Sequence, residues 1–129
     1  MIKKEMLVDA VICNKNDTAL EVSKILRDTQ SRHLIVVDEK IKPIGIISTV
    51  DLNNRVMAEE KNPKKLKAEE IMTKPILSID INATPDEAYE KMIERGTFSI
   101  PVVEKAKLVG VLEFNSALKE IASKSEKNK

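Results

Sequence analysis

Two side chains in the first half of the sequence have the chemistry needed to hold a nucleotide-like ligand. Ser48 and Asp51 belong to the stretch Gly45-Ile-Ile-Ser-Thr-Val-Asp51, where an apolar run ends and a helix is predicted to begin. A hydroxyl at a helix start lies beside free backbone N–H groups that favour a phosphate. A carboxylate one turn later can accept two hydrogen bonds from a ribose diol. The same Ser-x-x-Asp spacing also fits a helix capping box, and spacing alone favours that capping role.

The elements around Ser48 and Asp51 occur twice in the chain. Thr84 follows Thr18 by 66 positions (84 − 18), and Glu87 follows Glu21 by the same distance. The offset falls to 65 at the glycines (110 − 45), after one deletion in a turn. An offset that holds over separate segments predicts two copies of one supersecondary unit.

Each copy has the pattern strand, helix, strand, strand, helix. The first helices are predicted to begin at Thr18 and Thr84, each followed three positions later by a glutamate that completes a reciprocal capping box. Pro85 suits the first helical position. Short apolar runs predict the paired strands as 34–37 with 44–47 and 100–103 with 108–112, each pair followed by a second helix, at about 50–59 and 116–123.

The sequence therefore predicts an α/β fold of the α+β type. One β-α-β-β-α unit of about 60 residues cannot cover both faces of its own small sheet. We therefore expect two units, related by a pseudo-twofold axis and packed through their sheets. The expected boundaries are 1–59 for the first repeat, 60–67 for a solvated linker, 68–123 for the second repeat and 124–129 for a frayed tail.

Bulk composition narrows the functional classes. The 129 residues fit one compact domain, and the net charge of +1 argues against nucleic acid as the main partner. Only weak binding through the lysine-rich linker and tail stays open as an alternative. The single Cys13 and the lack of a long apolar stretch favour a cytoplasmic protein without a membrane span. Few aromatic residues predict an aliphatic core.

The sequence contains no arrangement of residues typical of catalysis. With one His and one Cys, it shows neither a Cys/His nor a Ser/His/Asp constellation. One His cannot make a metal site alone. We therefore expect a non-enzyme with no metal and no catalytic cofactor.

The duplicated markers resemble the CBS domain, named after cystathionine β-synthase. They are Met6 and Glu-Glu-Ile-Met72 before each first strand, Pro101-Val-Val, and the stretch Gly45 to Asp51. The resemblance implies a regulatory tandem pair that binds AMP, ADP, ATP or an S-adenosylmethionine-type ligand in clefts between the repeats. It also implies a homodimer that acts through an effector protein. With this resemblance, ligand binding becomes the favoured role of Asp51.

The resemblance also implies a set of nucleotide-binding residues. In it, Ile46 and Ile47 wall the purine, Leu77 lies near the base, and Phe98 and Ser99 lie near the phosphates. The full set is Arg32, Ile46, Ile47, Ser48, Asp51, Leu77, Phe98 and Ser99. Arg32 suits a phosphate, although a solvated arginine after a helix is an equal alternative. Phe98 could stack on the base, but an isolated Phe beside a strand is more often part of the core.

The second copy lacks the ligand-binding pair. Glu113 stands where the first copy has Ser48, and Ser116 stands where it has Asp51. A carboxylate repels a phosphate, so we expect this cleft to be weak or empty for nucleotides. His or Arg, common in the family at the positions of Phe98 and Ser99, is also missing here, which favours a monophosphate or a phosphate-free adenosyl compound. A ligand-free scaffold for dimerisation or partner docking is the main alternative.

Overall fold

The computed structural model of the protein describes residues 1–127, which form two compact units. The first-repeat unit is Val11–Ile76, and the second-repeat unit joins Met1–Ala10 to the chain from Leu77 onward. These units cut the chain at places other than 1–59 and 68–123, because the residues ahead of each first strand pack with the other repeat. The two repeats therefore exchange their leading segments.

The first-repeat unit contains one three-stranded sheet. Its elements are β1 (Ile12–Asn14), α1 (Ala19–Thr29), β2 (His33–Val37), β3 (Pro43–Ser48), α2 (Thr49–Leu52), a π-helical turn (Asn53–Met57) and α3 (Ala68–Ile71). β1 runs parallel to β2 because α1 crosses over between them, and β2 pairs antiparallel with β3. The last four residues of β2 are buried, so this central strand is covered on both faces, as expected.

The second-repeat unit repeats this topology. Its elements are a 3₁₀ turn (Lys4–Met6), β4 (Ile79–Asp80), α4 (Pro85–Arg95), β5 (Ser99–Glu104), β6 (Lys107–Glu113) and α5 (Phe114–Lys127). β4 pairs parallel with β5, and β5 pairs antiparallel with β6. The predicted fold class, with two β-α-β-β-α units, is confirmed. Of the predicted frayed tail 124–129, residues 124–127 continue α5, and residues 128 and 129 lie outside the described chain.

The helix caps agree with the prediction in part. Thr18 Oγ1 accepts the Glu21 N–H at 3.1 Å, and Thr84 Oγ1 accepts the Glu87 N–H at 3.1 Å. In residues 1–127 neither glutamate side chain bonds back to its threonine N–H, so only half of each predicted capping box forms. Pro85 occupies the first position of α4 as predicted.

Each unit has its own aliphatic core, as the scarcity of aromatics predicts. Val22, Leu26 and Leu34 are buried in the first, and Met92 and Ile100 in the second. In α4, Met92 fills the core, whereas its neighbour Ile93 is 56% exposed.

The exchanged leading segments are held by backbone hydrogen bonds. Val8 pairs antiparallel with Val111 in the second-repeat unit, and Thr73 pairs antiparallel with Ile46 in the first-repeat unit. Residues 60–67, expected to be a solvated linker, are also anchored. The Pro63 carbonyl accepts the Leu20 N–H at 3.1 Å, and the Leu66 carbonyl accepts the Ala19 N–H at 2.8 Å. The chain between the sequence repeats is therefore part of the first-repeat unit.

Candidate functional site

The turn from β3 into α2 carries the two residues with ligand-binding chemistry. Ser48 is the N-cap of α2, and its Oγ accepts the Asp51 N–H at 3.1 Å. In return, Asp51 Oδ2 accepts the Ser48 N–H at 2.9 Å. The full capping box foreseen as the alternative role of this pair is therefore present, and it holds the Asp51 carboxylate in one orientation.

The second oxygen of Asp51 is held from two further directions. Thr73 Oγ1 donates to Asp51 Oδ1 at 3.3 Å, and Arg55 Nη2 lies 3.8 Å from the same oxygen. The Asp51 side chain is only 15% exposed, whereas that of Arg55 is 44% exposed. An ion pair so open to water contributes about 0–1 kcal/mol to stability. Its main effect is to fix the position of the carboxylate.

Capping does not use up the hydrogen-bonding capacity of Asp51. An ionised carboxylate offers about four acceptor positions, two on each oxygen. The Ser48 N–H occupies one on Oδ2 and the Thr73 hydroxyl one on Oδ1, while Arg55 at 3.8 Å is beyond hydrogen-bonding distance. Among residues 1–127, these contacts leave one acceptor position on each oxygen without a donor.

The other three predicted residues of the first-repeat unit lie around this turn. The Arg32 carbonyl accepts the Thr49 N–H at 3.0 Å, which places Arg32 beside the first residue of α2 with its side chain exposed. Ile46 is partly exposed and pairs with Thr73. Ile47 is completely buried in the core, because neighbours along a strand face opposite sides of the sheet. This corrects the expectation that the Ile47 side chain walls a purine.

Leu77, Phe98 and Ser99 belong to the second-repeat unit. Leu77 packs against the core of that unit, and Ser99 lies opposite Glu113 in the β5–β6 ladder. Phe98 is 78% exposed, so its alternative role as a core residue is wrong. Five of the eight predicted site residues are therefore in the first-repeat unit and three are in the second.

The aromatic side chains of the chain gather at the turn from β6 into α5. The rings of Tyr89 and Phe114 stack with centroids 4.9 Å apart, and Phe98 meets Phe114 edge-on at 5.9 Å. These three are the complete aromatic content of the sequence. Glu113 and Ser116, which stand in the places of Ser48 and Asp51, lie at the same turn, with Glu113 exposed. The second turn is thus built from stacked rings rather than from a polar network.

Two residues of the first site were missed by sequence reasoning. Arg55 follows Asp51 by four positions, a spacing that puts both on one side of a helix and could have indicated the pair. Thr73 directly follows Met72, which was noted only as a repeat marker. Its contact with Asp51 spans 22 positions, so no local pattern pointed to it.

Cys13 has no part in this site. It is buried in the core of the first-repeat unit, and burial, helped by the nearby Asp17 carboxylate, raises the pKa of its thiol to about 12. The thiolate is therefore scarce at neutral pH, as expected of an unreactive core cysteine.

The family of the chain follows from the duplicated fold and its sequence. The CBS domain model matches residues 2–58 and 68–123. The chain therefore belongs to the CBS domain family and carries two CBS domains. Such a pair is a regulatory module.

Two curated relatives illustrate the sequence similarity. An uncharacterized protein of Methanopyrus kandleri is 30% identical over 111 residues, which cover 85% of this chain and 57% of that protein. The protein YlbB of Bacillus subtilis is 30% identical over 112 residues, covering 86% of this chain and 75% of that protein. The chain spans little more than half the length of the Methanopyrus relative, and 32% or less of two others.

Solved structures share the fold along almost the whole chain. The CBS domain pair of protein MJ0100, in complex with 5′-methylthioadenosine and S-adenosyl-L-methionine, is 26% identical with a TM-score of 0.71, covering 96% of this chain and 98% of that one. Hypoxic Response Protein I, solved with two coordinated zinc ions, is 19% identical with a TM-score of 0.78, covering 92% of this chain and 98% of that one.

Residues 1–127 lack two features that would point to other functions. In that range no three His, Cys, Asp or Glu side chains come together in a way that could hold a metal ion. None of the helices described there combines the length and apolar character needed to cross a membrane.

Proposed function

We propose that this CBS pair senses an adenosyl compound, an adenine nucleotide or an S-adenosylmethionine-type ligand, and that it has no catalytic activity of its own. In this proposal Asp51 binds the ribose. The observation that carries it is the Asp51 carboxylate, which is held by Ser48, Thr73 and Arg55 yet keeps one free acceptor position on each oxygen. Two adjacent ribose hydroxyls can donate one hydrogen bond to each oxygen.

The surroundings of Asp51 favour a ligand with at most one phosphate. The Ser48 hydroxyl accepts from the Asp51 N–H, so its own proton is free to donate to a phosphate or another acceptor. Arg32 adds one exposed cation beside α2. One cation matches a monophosphate better than a triphosphate, so 5′-methylthioadenosine, S-adenosylmethionine and AMP should bind more tightly than ATP. Leu77, Phe98 and Ser99 are proposed contacts from the second repeat, as the family resemblance implies.

The ligands of a relative support this choice. The MJ0100 pair, which is 26% identical to this chain over nearly its full length, was solved with two adenosyl compounds. Both 5′-methylthioadenosine and S-adenosylmethionine carry the ribose diol that the free positions on Asp51 would accept. They are therefore the first compounds to test.

Isothermal titration calorimetry with 5′-methylthioadenosine, S-adenosylmethionine, AMP and ATP tests the proposal. Asp51→Ala should weaken the tightest ligand about 10- to 150-fold, the range for losing one charge-assisted contact of about 1.5–3 kcal/mol. Thr84→Ala is the matched control, since it removes a helix cap in the second-repeat unit and leaves the Asp51 site intact. The proposal fails if the wild-type protein binds none of the compounds, or if Asp51→Ala binds them as tightly as wild type.

A second candidate function is docking, in which the pair dimerises or binds an effector without a ligand. It is favoured by an open groove of about 730 Å³ between α1 and the π-helical turn. The groove is lined by Leu20, Ser23, Leu52, Asn53, Val56, Met57, Glu60, Lys61 and Pro63. Most of these side chains are apolar, and Met57 is 74% exposed. A surface of this kind is typical of an interaction site.

Light scattering tests docking between two copies. A homodimer should dissociate when Met57→Glu places a charge in the groove, because the charge would have to be desolvated on association. Ile41→Glu, at an exposed turn position outside the groove, is the control. A wild-type monomer, or a dimer that Met57→Glu leaves intact, would exclude self-association through this surface.

A further inference from the structure

We infer that Thr73 and Arg55 are positioning residues of the Asp51 site, and that they couple ligand occupancy to residues 68–73, the segment leading into the second repeat. This inference rests on the proposed binding of an adenosyl ligand at Asp51. The inference goes beyond ligand binding by naming the part of the molecule that responds to the ligand. The presence of two repeats does not by itself identify that part.

Thr73 contacts two of the proposed ligand-binding residues at once. Its N–H donates to the Ile46 carbonyl at 2.8 Å, and its own carbonyl accepts the Ile46 N–H at 3.0 Å. Its hydroxyl donates to Asp51 Oδ1 at 3.3 Å. Thr73 therefore joins the strand that carries Ile46 to the carboxylate proposed to hold the ribose.

Arg55 makes a second connection between the same parts. Its Nη1 donates to the carbonyls of Ile71 and Met72, at 2.8 and 2.9 Å, while Nη2 faces Asp51 Oδ1 at 3.8 Å. A planar guanidinium can make these contacts together because its donors have a fixed fork geometry. Arg55 lies in the π-helical turn, a distortion often found at functional sites. Asp51 and the end of α3 are thus held by one side chain.

The remainder of the segment is fixed to the body of the first-repeat unit. The Ala68 N–H donates to the Asp17 carbonyl at 2.7 Å, and the Glu69 N–H donates to the Lys15 carbonyl at 3.1 Å. Met72 lies so close to Gly45 that a Cβ at Gly45 would clash with its side chain. A larger residue at position 45 would require the Met72 side chain to shift, so the segment lies directly against the strand that ends at Ser48.

The equivalent positions of the second-repeat unit lack such a connection. Leu7, Ser116 and Glu120 stand where the first site has Thr73, Asp51 and Arg55. A leucine side chain cannot donate a hydrogen bond, and a glutamate has the opposite charge to arginine. The polar connection is therefore particular to the repeat that is proposed to bind ligand.

Coupling must act in both directions. Thr73 and Arg55 fix one orientation of Asp51. If the ribose needs this orientation, the segment strengthens ligand binding by the same free energy by which the bound ligand stabilises the segment. Thr73→Val keeps the shape of the side chain but removes its hydroxyl. It should raise the dissociation constant about two- to tenfold, the range for one neutral hydrogen bond. Thr73→Ser, which restores the hydroxyl, should return the affinity towards wild type.

Amide hydrogen exchange of the full chain, with and without 5′-methylthioadenosine, S-adenosylmethionine or AMP, tests the coupling. If the segment opens only when the ligand has left, exchange of the hydrogen-bonded amides in 68–73 slows up to about tenfold at ten times the dissociation constant. Thr73→Val should lose most of this ligand-dependent slowing and Thr73→Ser should keep it. Thr29→Val, which removes a hydroxyl bonded to the Ile25 carbonyl in α1, should behave like wild type.

The outcomes separate this inference from the function on which it rests. If calorimetry detects no binding of any of the three compounds or of ATP, both are overturned. If a compound binds and Asp51→Ala weakens it, but exchange in 68–73 does not change, the coupling alone is overturned. The coupling is also overturned if Thr73→Val matches wild type in affinity and in ligand-dependent exchange. A merely structural Thr73 would alter exchange equally with and without ligand, which also contradicts the inference.

Discussion

The turn from β3 into α2 and the turn from β6 into α5 share a backbone but differ in chemistry. At the first, the Thr49 N–H donates to the Arg32 carbonyl at 3.0 Å. At the second, the Phe114 N–H donates to the Phe98 carbonyl at 2.8 Å. On this common frame the first turn carries a capped carboxylate joined to Thr73 and Arg55, whereas the second carries three aromatic rings and an exposed Glu113.

This difference shows which parts of a duplicated unit are free to diverge. The backbone contacts are kept because a strand must pass into a helix with its N–H groups satisfied in either repeat. The side chains at the turn differ: the first repeat carries the polar pair Ser48 and Asp51, whereas in the second Phe114 packs against the core.

Equivalent core positions should have equally large effects in the two repeats. Leu34 and Ile100 occupy matching strand positions and are 1% and 0% exposed. Leu34→Ala and Ile100→Ala should each lower the free energy of unfolding by about 2–5 kcal/mol, from lost burial and the cavity left behind. Urea unfolding measures both. A much smaller loss of unfolding free energy in one repeat would show that the two cores are not equivalent.

The chemistry of the second turn should be partly convertible into that of the first. In Glu113→Ser/Ser116→Asp the anionic side chain is replaced by a hydroxyl and the carboxylate is restored one turn later. We expect 5′-methylthioadenosine to bind a new site at least about tenfold more tightly than in wild type, from one regained charge-assisted contact. Calorimetry would report the change as a doubled stoichiometry.

The control for this gain is Glu113→Ser alone, which removes the repulsion without supplying a ribose acceptor. If the double variant still binds one ligand per chain, then Leu7, Phe98 and Glu120, rather than Glu113 and Ser116, account for the difference between the turns.

Loss of the helix caps should have the smallest effect, and again an equal one. Thr18→Ala and Thr84→Ala each remove one hydrogen bond to the N–H three residues later. Each should cost about 0.5–2 kcal/mol of unfolding free energy. Thermal unfolding of both variants at one protein concentration measures this. A clear excess in either variant would mean that the two first helices, which look alike in sequence, carry unequal shares of stability.

Local patterns in the sequence were enough to predict the topology. The constant offset of the repeat gave two β-α-β-β-α units, and the spacing from Thr18 to Glu21 gave the start of α1. Period-two alternation could also have shown that Ile46 and Ile47 face opposite sides of β3, so the assignment of both side chains to a purine pocket overlooked a pattern that was available.

What escaped prediction depends on contacts between distant parts of the chain. The exchange of leading segments rests on pairs such as Val8 with Val111, which no periodicity brings together. The hydrogen bond from the Thr73 hydroxyl to Asp51 escaped prediction for the same reason, because the two residues are 22 positions apart. The reciprocal half of the predicted capping boxes did not form at Glu21 and Glu87 but did form at Asp51. A spacing shows that such a bond is possible, whereas the surroundings decide whether the side chain makes it.

The exchange of leading segments determines where the protein can be dissected. A fragment that stops at residue 59 would lose the segment paired with Ile46 and leave the β3 edge open, and open sheet edges promote aggregation. A fragment spanning Val11–Ile76 would keep that edge covered by Thr73 and the Gly45 backbone covered by Met72. The boundaries of a recombinant single repeat should therefore follow these contacts rather than the limits of the duplicated sequence.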